Sequence, residues 1–253
     1  MRNSVRESKE FFFKARAKTY LELKNWEEAI SDYSKAIELN PKYAGGYYDR
    51  GWAYFEQGEN YKTKFLYGDD NSSKEEVEQS KDERKKIYLQ AIENFTAAIE
   101  IDTTNPSVYL NRGVAYDRIN EHQKEIEDYT MAIELNSESA LAYRNRGLAY
   151  KEGGLLTAAC DDFYQAGLLY LKQREANESA VCLGSLENLP YGETSPLTGK
   201  LTDKICDYHY SEALTFLKQN NRTEVLKCID YIKEVDPSSP LIKKLMDKIY
   251  EEK

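Results

Sequence analysis

Histidine, cysteine and proline are scarce in this sequence, and each shortage excludes something. The 253 residues hold two histidines, His122 and His209, and four cysteines. Four cysteines are too few for a disulfide framework in a chain this long. Two histidines give little material for a catalytic Cys–His pair or a His-rich metal site. Six prolines and 13 glycines suit long helices better than a turn-rich β fold. No run of 18 apolar residues occurs, so no membrane-spanning helix is expected. The apolar run Phe11–Phe13 is too short for a signal-peptide core, and a cytoplasmic location is the expectation. A basic surplus is missing as well. The net charge is −9, whereas nucleic-acid binding needs a positive footprint. The same charge gives no support to an anionic membrane surface as partner. Nucleotide loops, metal motifs and nucleophile motifs are absent too. No catalytic residue, metal or cofactor is assigned.

What is present is a core and a period. Hydrophobic residues make up 41% and charged residues 31%, enough to bury a core. One phrase recurs as AISDYSKAIELN at 29–40, AIENFTAAIEID at 91–102 and EIEDYTMAIELN at 125–136, with a fainter copy at 159–170. A second phrase precedes the last three as YYDRGWAY at 47–54, YLNRGVAY at 109–116 and YRNRGLAY at 143–150. FKARAKTY at 13–20 stands in its place in the first unit. Gly113 and Gly147 are 34 residues apart, as are Tyr129 and Phe163. Gly51 and Gly113 are 62 apart, so one unit carries a 28-residue insertion. Within each phrase the apolar residues fall three and four apart, which places them on one helical face.

This pattern resembles the tetratricopeptide repeat, a 34-residue helix hairpin with small residues where its helices touch and aromatics between them. Ala17, Gly51, Gly113 and Gly147 take the small positions of the first helices. Tyr33, Phe95, Tyr129 and Phe163 are the matching aromatics of the second. The resemblance covers about residues 8 to 173. It implies an all-α fold, a right-handed superhelical solenoid of antiparallel helix hairpins. Left-handed turns are expected at Gly58, Asn120 and Gly154. Four hairpins are expected over 1–173, the second carrying an insertion at about 59–86.

The chain departs from the family where Arg16, Arg50, Arg112 and Arg146 replace a common leucine. Asp32, Asn94, Asp128 and Asp162 stand on the second helices. An Arg–Asp contact across each hairpin is expected, worth ~0.5 kcal/mol if exposed. Glu125 replaces an alanine, which predicts looser packing in the third hairpin. In the insertion, residues 59–73 read as a loop with an aromatic cluster of Tyr61, Phe65 and Tyr67. Residues from Ser73 read as a helix opened by a Ser73–Glu76 capping box and running from about Lys74 to Ile101. That helix is either a docking arm or a tolerated surface insertion.

A different duplication fills the C-terminal third. Residues 160–182 match 206–228 at an offset of 46, and 195–205 match 239–249 at an offset of 44. TPR-like hairpins of about 45 residues with a capping helix are expected over 155–253. Helices are placed near 155–173, 177–188, 197–219, 222–235 and 239–251, the third and fifth opening at Pro196 and Pro240. Cys160, Cys182, Cys206 and Cys228 are then two equivalent pairs, without the CxxC spacing of zinc sites. Buried thiols acting as small hydrophobes are the main reading.

The resemblance places a concave binding groove on the first helices. It assigns Lys14, Lys18 and Glu22 from the first unit, and Tyr48, Asp49, Trp52 and Phe55 from the second. Leu110, Asn111, Val114 and Arg118 come from the third, and Arg144, Asn145, Leu148 and Lys151 from the fourth. An asparagine amide both donates and accepts, which suits a peptide backbone. Aromatics supply anchors. Capture of a chaperone's C-terminal carboxylate is not expected, because Lys18, Asp49 and Asn111 replace the residues that grip it. The leading expectation is a non-catalytic scaffold or adaptor whose partner is a protein or peptide segment. The alternative is a regulatory thiol or metal site built from the duplicated cysteines. Self-association through the inserted helix is a third reading.

Overall fold

The computed structural model describes residues 2–66, 74–189, 196–219 and 221–251, and the side chains of 6–61, 79–189, 196–219 and 221–249. Among the described residues the regular structure is entirely helical. Two compact units divide the chain, Met1–Ser137 and Glu138–Lys253.

The first unit holds three antiparallel hairpins. They are α1 (Arg2–Glu22) with α2 (Trp26–Leu39), α3 (Ala44–Leu66) with α4 (Lys74–Ile101), and α5 (Pro106–Asp117) with α6 (His122–Leu135). Each hairpin also packs on the next through α2 against α3 and α4 against α5. Local chemistry sets the ends. Glu27 and Glu28 sit in the first turn of α2, where carboxylates suit the positive helix terminus. Asn105 caps α5 by accepting from the Ser107 amide, and Pro106 opens the helix where its missing N–H costs nothing. Asn120 turns α5 into α6 in the left-handed conformation, φ 59°.

Gly58 does not turn the chain, contrary to the expectation. It lies inside α3, and a Cβ there would sit 2.7 Å from the Tyr88 ring. The glycine makes room for a neighbouring helix. Half of the expected insertion loop is therefore helical, because α3 continues to Leu66. The helix that follows spans Lys74–Ile101. The side chains of Phe65 and Tyr67, and the Ser73 cap, lie outside the described residues.

Aromatics from the second helices fill the space left by small residues on the first. A Cβ on Gly113 would meet the Tyr129 ring at 2.7 Å, and one on Gly51 would meet Phe95 at 2.8 Å. Phe95, Ala91 and Ala98 are buried, as are Tyr33, Ala29 and Ala36. Glu125 is buried at the position that predicts looser packing, with its Oε1 3.1 Å from His122 Nδ1.

The expected arginine contacts are present. Arg112 donates from Nε and Nη2 to the two oxygens of Asp128, at 2.8 and 2.7 Å. Arg146 repeats this on Asp162 at 2.8 and 2.9 Å. Arg16 pairs with Asp32, and Arg50 donates to Asn94 Oδ1 at 2.7 Å. The pairs of Arg112 and Arg146 are not surface pairs, and at Arg16 the carboxylate alone is buried while the arginine is 40% exposed. Asp32, Asp128 and Asp162 are 2%, 4% and 5% exposed. The value of ~0.5 kcal/mol for an exposed pair therefore does not apply, because a buried carboxylate that loses its partner is a buried charge.

The second unit begins with the hairpin of α7 (Ala140–Glu152) and α8 (Leu156–Lys172), joined at Gly154 with φ +73°. Next come α9 (Ala176–Glu187), α10 (Pro196–Lys218), α11 (Arg222–Val235) and α12 (Pro240–Glu251). These boundaries lie within about two residues of the expected ones. The duplication is visible as two pairs, α8 with α9 and α10 with α11. Phe163, Leu186, Leu201 and Ile205 centre one core cluster, and Val225, Ile229, Ile232 and Leu245 another.

Candidate protein-binding face

The residues assigned to a groove fall into the two units and are taken separately. In the first unit they come from α1, α3 and α5. Lys18 is exposed, and Lys14, Tyr48, Asp49, Trp52, Leu110, Asn111, Val114 and Arg118 are half-buried. Phe55 is a correction. It is 7% exposed, stacked against Trp52 at 5.4 Å and tilted against Tyr88 at 5.8 Å. It belongs to the core because the Tyr88 ring of α4 packs against it.

The remaining side chains are tied to one another. Asn111 Nδ2 donates to Tyr48 Oη at 2.9 Å, linking the first helices of two consecutive hairpins. Burial raises the Tyr48 hydroxyl above its ordinary value, so it stays protonated and keeps its own hydrogen to donate. Lys14 reaches Glu10 at 3.0 Å and lies 3.9 Å from the centre of the Tyr43 ring. Burial pushes the Asp49 carboxyl up to about 6, against the pull of Lys14 and Lys18. Arg118 donates to Glu59 at 2.7 Å and also pairs with Asp117, while Tyr88 Oη donates to Glu59 Oε1 at 2.6 Å. Arg118 is therefore engaged in joining α3, α4 and α5. Trp52 and Val114 lean on the same cluster as Phe55.

Sequence reasoning missed Tyr43 and Glu59. Tyr43 sits in the α2–α3 connection and Glu59 in what reads as a loop, so neither falls within the repeated phrases.

In the second unit α7 carries Arg144, Asn145 and Leu148, all half-buried. Leu148 packs against the core cluster around Phe163. Arg144 Nε is buried without a hydrogen bond among the described residues, and its charge acts on Tyr170 and Cys182.

The cysteines are free thiols, with Cys182, Cys206 and Cys228 buried and Cys160 half-buried. Burial pushes Cys182 up to about 12 and Cys206 up to about 11, and raises Cys160 and Cys228 as well. A thiolate is the reactive and metal-binding form, so these shifts work against either role. No cysteine belongs to a cluster of potential metal ligands among the described residues.

Residues 17–58 match a model described as TPR repeat, and residues 106–139 match one described as tetratricopeptide repeat. The chain carries tetratricopeptide repeats. TTC0263, a thermophilic TPR protein of Thermus thermophilus, is 20% identical, with 66% of this chain and 77% of that one covered at a TM-score of 0.50. YrrB, described as a TPR protein with an unusual peptide-binding site, is 16% identical over 93% of this chain and 90% of that one, TM-score 0.49. MamA is 18% identical over 93% and 95%, TM-score 0.48. At 20% identity the likeness to TTC0263 concerns the fold. No curated protein matches the sequence. Among the described residues, no helix of this chain is long and apolar enough to cross a membrane.

Proposed function

We propose that this chain is a non-catalytic scaffold, and that the first-helix face of its N-terminal unit holds a segment of a partner protein. Tetratricopeptide repeats are in general protein-interaction modules without catalytic activity, which supports the first half of the reading. The observation that carries the second half is the Asn111–Tyr48 hydrogen bond between α5 and α3. It holds an amide with unused donor and acceptor capacity beside a half-buried aromatic, on helices from two different hairpins. An amide at this place can pair with a peptide N–H or C=O, and Trp52 and Tyr48 offer ring surface to an apolar side chain. Lys18 and Asp49 add one charge of each sign, which favours a segment of mixed charge. A carboxylate-terminated tail is a poor fit, because Asp49 is ionised for the most part at neutral pH and would repel it.

The test is selection of a peptide from a random displayed library on the immobilised full chain, followed by affinity measurement on variants. Lys18→Glu with Asn111→Ala removes two face contacts without opening the core. At least a tenfold loss of affinity with unchanged helicity is the expected result. Equal affinity for wild type and variant would remove α1, α3 and α5 as the binding face.

A further inference from the structure

The second unit contains an open cleft of about 620 Å³ that the groove reading does not use. It is lined by the start of α9, the middle of α10 and the face of α11. The internal duplication shows why it is there. At an offset of 46, His209 of α10 corresponds to Phe163 of α8, and Glu212 corresponds to Ala166. In every earlier second helix the position of His209 is a buried aromatic, Tyr33, Phe95, Tyr129 or Phe163. On α8 that aromatic meets Gly147 of α7, which covers it. On α10 the aromatic has become an imidazole, and the small residue after it a carboxylate. The face that α7 covers on α8 is here polar and open.

His209 is 7% exposed, lines the cleft and has no hydrogen-bond partner among the described residues. It stacks on Tyr231 at 4.8 Å and meets Tyr208 edge-on at 5.3 Å. Burial lowers its proton affinity, with Glu212 opposing, so a ring nitrogen is free to accept. Four carboxylates, Glu175, Glu178, Glu212 and Glu224, line the cleft beside two cations, Arg174 and Lys227. Glu175 and Glu178 line it without an ion pair among the described residues. Among the described residues Glu212 is held only by Arg174 at 3.4 Å, a long contact from a side chain that is 77% exposed. Lys227 is already paired with Glu224 at 2.7 Å.

We propose that this cleft binds an arginine side chain presented by a partner protein. The site offers carboxylate and imidazole acceptors beside tyrosine rings, and a guanidinium brings five donors in a plane that stacks on aromatic faces. The chain contains its own precedent. On α8 the guanidinium of Arg146 lies on Asp162 at 2.8 Å, with Tyr143 and Tyr150 rings each 5.6 Å away. The hairpins of α1, α5 and α7 each supply such an arginine to a carboxylate of their second helix. The α10 face keeps aromatics and a carboxylate, and the arginine comes from outside. This site is separate from the face on α1, α3 and α5, and neither reading rests on the other.

The test titrates the peptide Ac-Gly-Gly-Arg-Gly-Gly-NH2 into isotope-labelled full chain at low salt, following His209, Tyr208 and Tyr231 by NMR. The same peptide with lysine, citrulline or glutamate at its centre is the control. Saturable shifts centred on these three residues are expected with arginine, weaker ones with lysine and none with citrulline or glutamate. Glu178→Gln with Glu212→Gln should weaken arginine binding at least fivefold while circular dichroism is unchanged. His209→Phe, which restores the residue of the earlier copies, should also weaken it. Absence of shifts overturns the proposal. So does equal response to arginine and citrulline, or a response spread over the acidic surface and indifferent to the Gln variants.

Discussion

Arg112 and Asp128 are joined by two parallel hydrogen bonds, at 2.8 and 2.7 Å, and the carboxylate is 4% exposed. Arg112 is bound at a third point, donating from Nη1 to Thr96 Oγ1 of the preceding hairpin at 3.0 Å. Arg50 makes the same link backwards, to Ser34 Oγ at 3.0 Å. One side chain thus closes its own hairpin and ties it to the neighbour.

Removing that arginine should be costly. Arg112→Ala leaves Asp128 buried and unpaired, and a loss of ~3–5 kcal/mol is expected for a broken buried pair. Asp128→Asn should cost far less, ~1 kcal/mol, because an amide still accepts from the guanidinium. Arg50 and Asn94 already show this arrangement in the second hairpin. Urea denaturation of the two variants checks the order, and equal losses would contradict it.

Two glycine substitutions should act in opposite directions. Gly113→Ala forces a Cβ to within 2.7 Å of the Tyr129 ring. Overpacking of this kind costs ~1–3 kcal/mol. Gly184 lies within α9, and among the described residues no neighbouring group comes inside 4 Å of its missing Cβ. Gly184→Ala should stabilise by ~0.5–1 kcal/mol through helix propensity and a less flexible unfolded chain. Thermal midpoints read both signs.

Asp49 should give stability a pH dependence. Its folded-state value, pushed by burial to about 6, lies above the ordinary 3.8. The folded chain then holds this proton over a range where the unfolded chain has lost it. The stabilising contribution is complete below about pH 4 and is lost as pH rises through about 6. Asp49→Asn should remove that decline and be ~2 kcal/mol more stable than wild type above pH 7. Carboxyl-carbon NMR of Asp49 should show a midpoint near 6, and a midpoint near 4 would refute the assignment.

The thiols should be slow. At pH 8 an alkylating reagent should modify Cys160 first, because it alone is half-buried, and Cys182 and Cys206 only on unfolding. Rapid modification of Cys182 in the folded chain would revive a reactive-thiol role.

Particular residues show what the sequence could and could not carry. The hairpins were legible because a glycine and an aromatic recur 34 residues apart, as in Gly113 and Gly147 or Tyr129 and Phe163. The arginine pairs were legible from a constant spacing of 16 between Arg112 and Asp128 or Arg146 and Asp162. Their burial was not, because exposure depends on the packing of neighbouring hairpins. Gly58 reads as a turn by local preference, and only the nearby Tyr88 ring explains a glycine inside α3. Phe55 lies on the expected groove face by register, yet the Trp52 and Tyr88 rings bury it. The cleft on α10 left two sequence signals, the changes from Phe163 to His209 and from Ala166 to Glu212 between the two copies.

The central claim is that α1, α3 and α5 present the face that holds a partner segment. Hydrogen–deuterium exchange of the full chain, with and without a library-selected peptide, tests it most directly. The account predicts slowed exchange concentrated on the first helices around Lys18, Tyr48, Trp52 and Asn111. Protection confined to the long α4 or to the second unit, with α1, α3 and α5 unchanged, would contradict it.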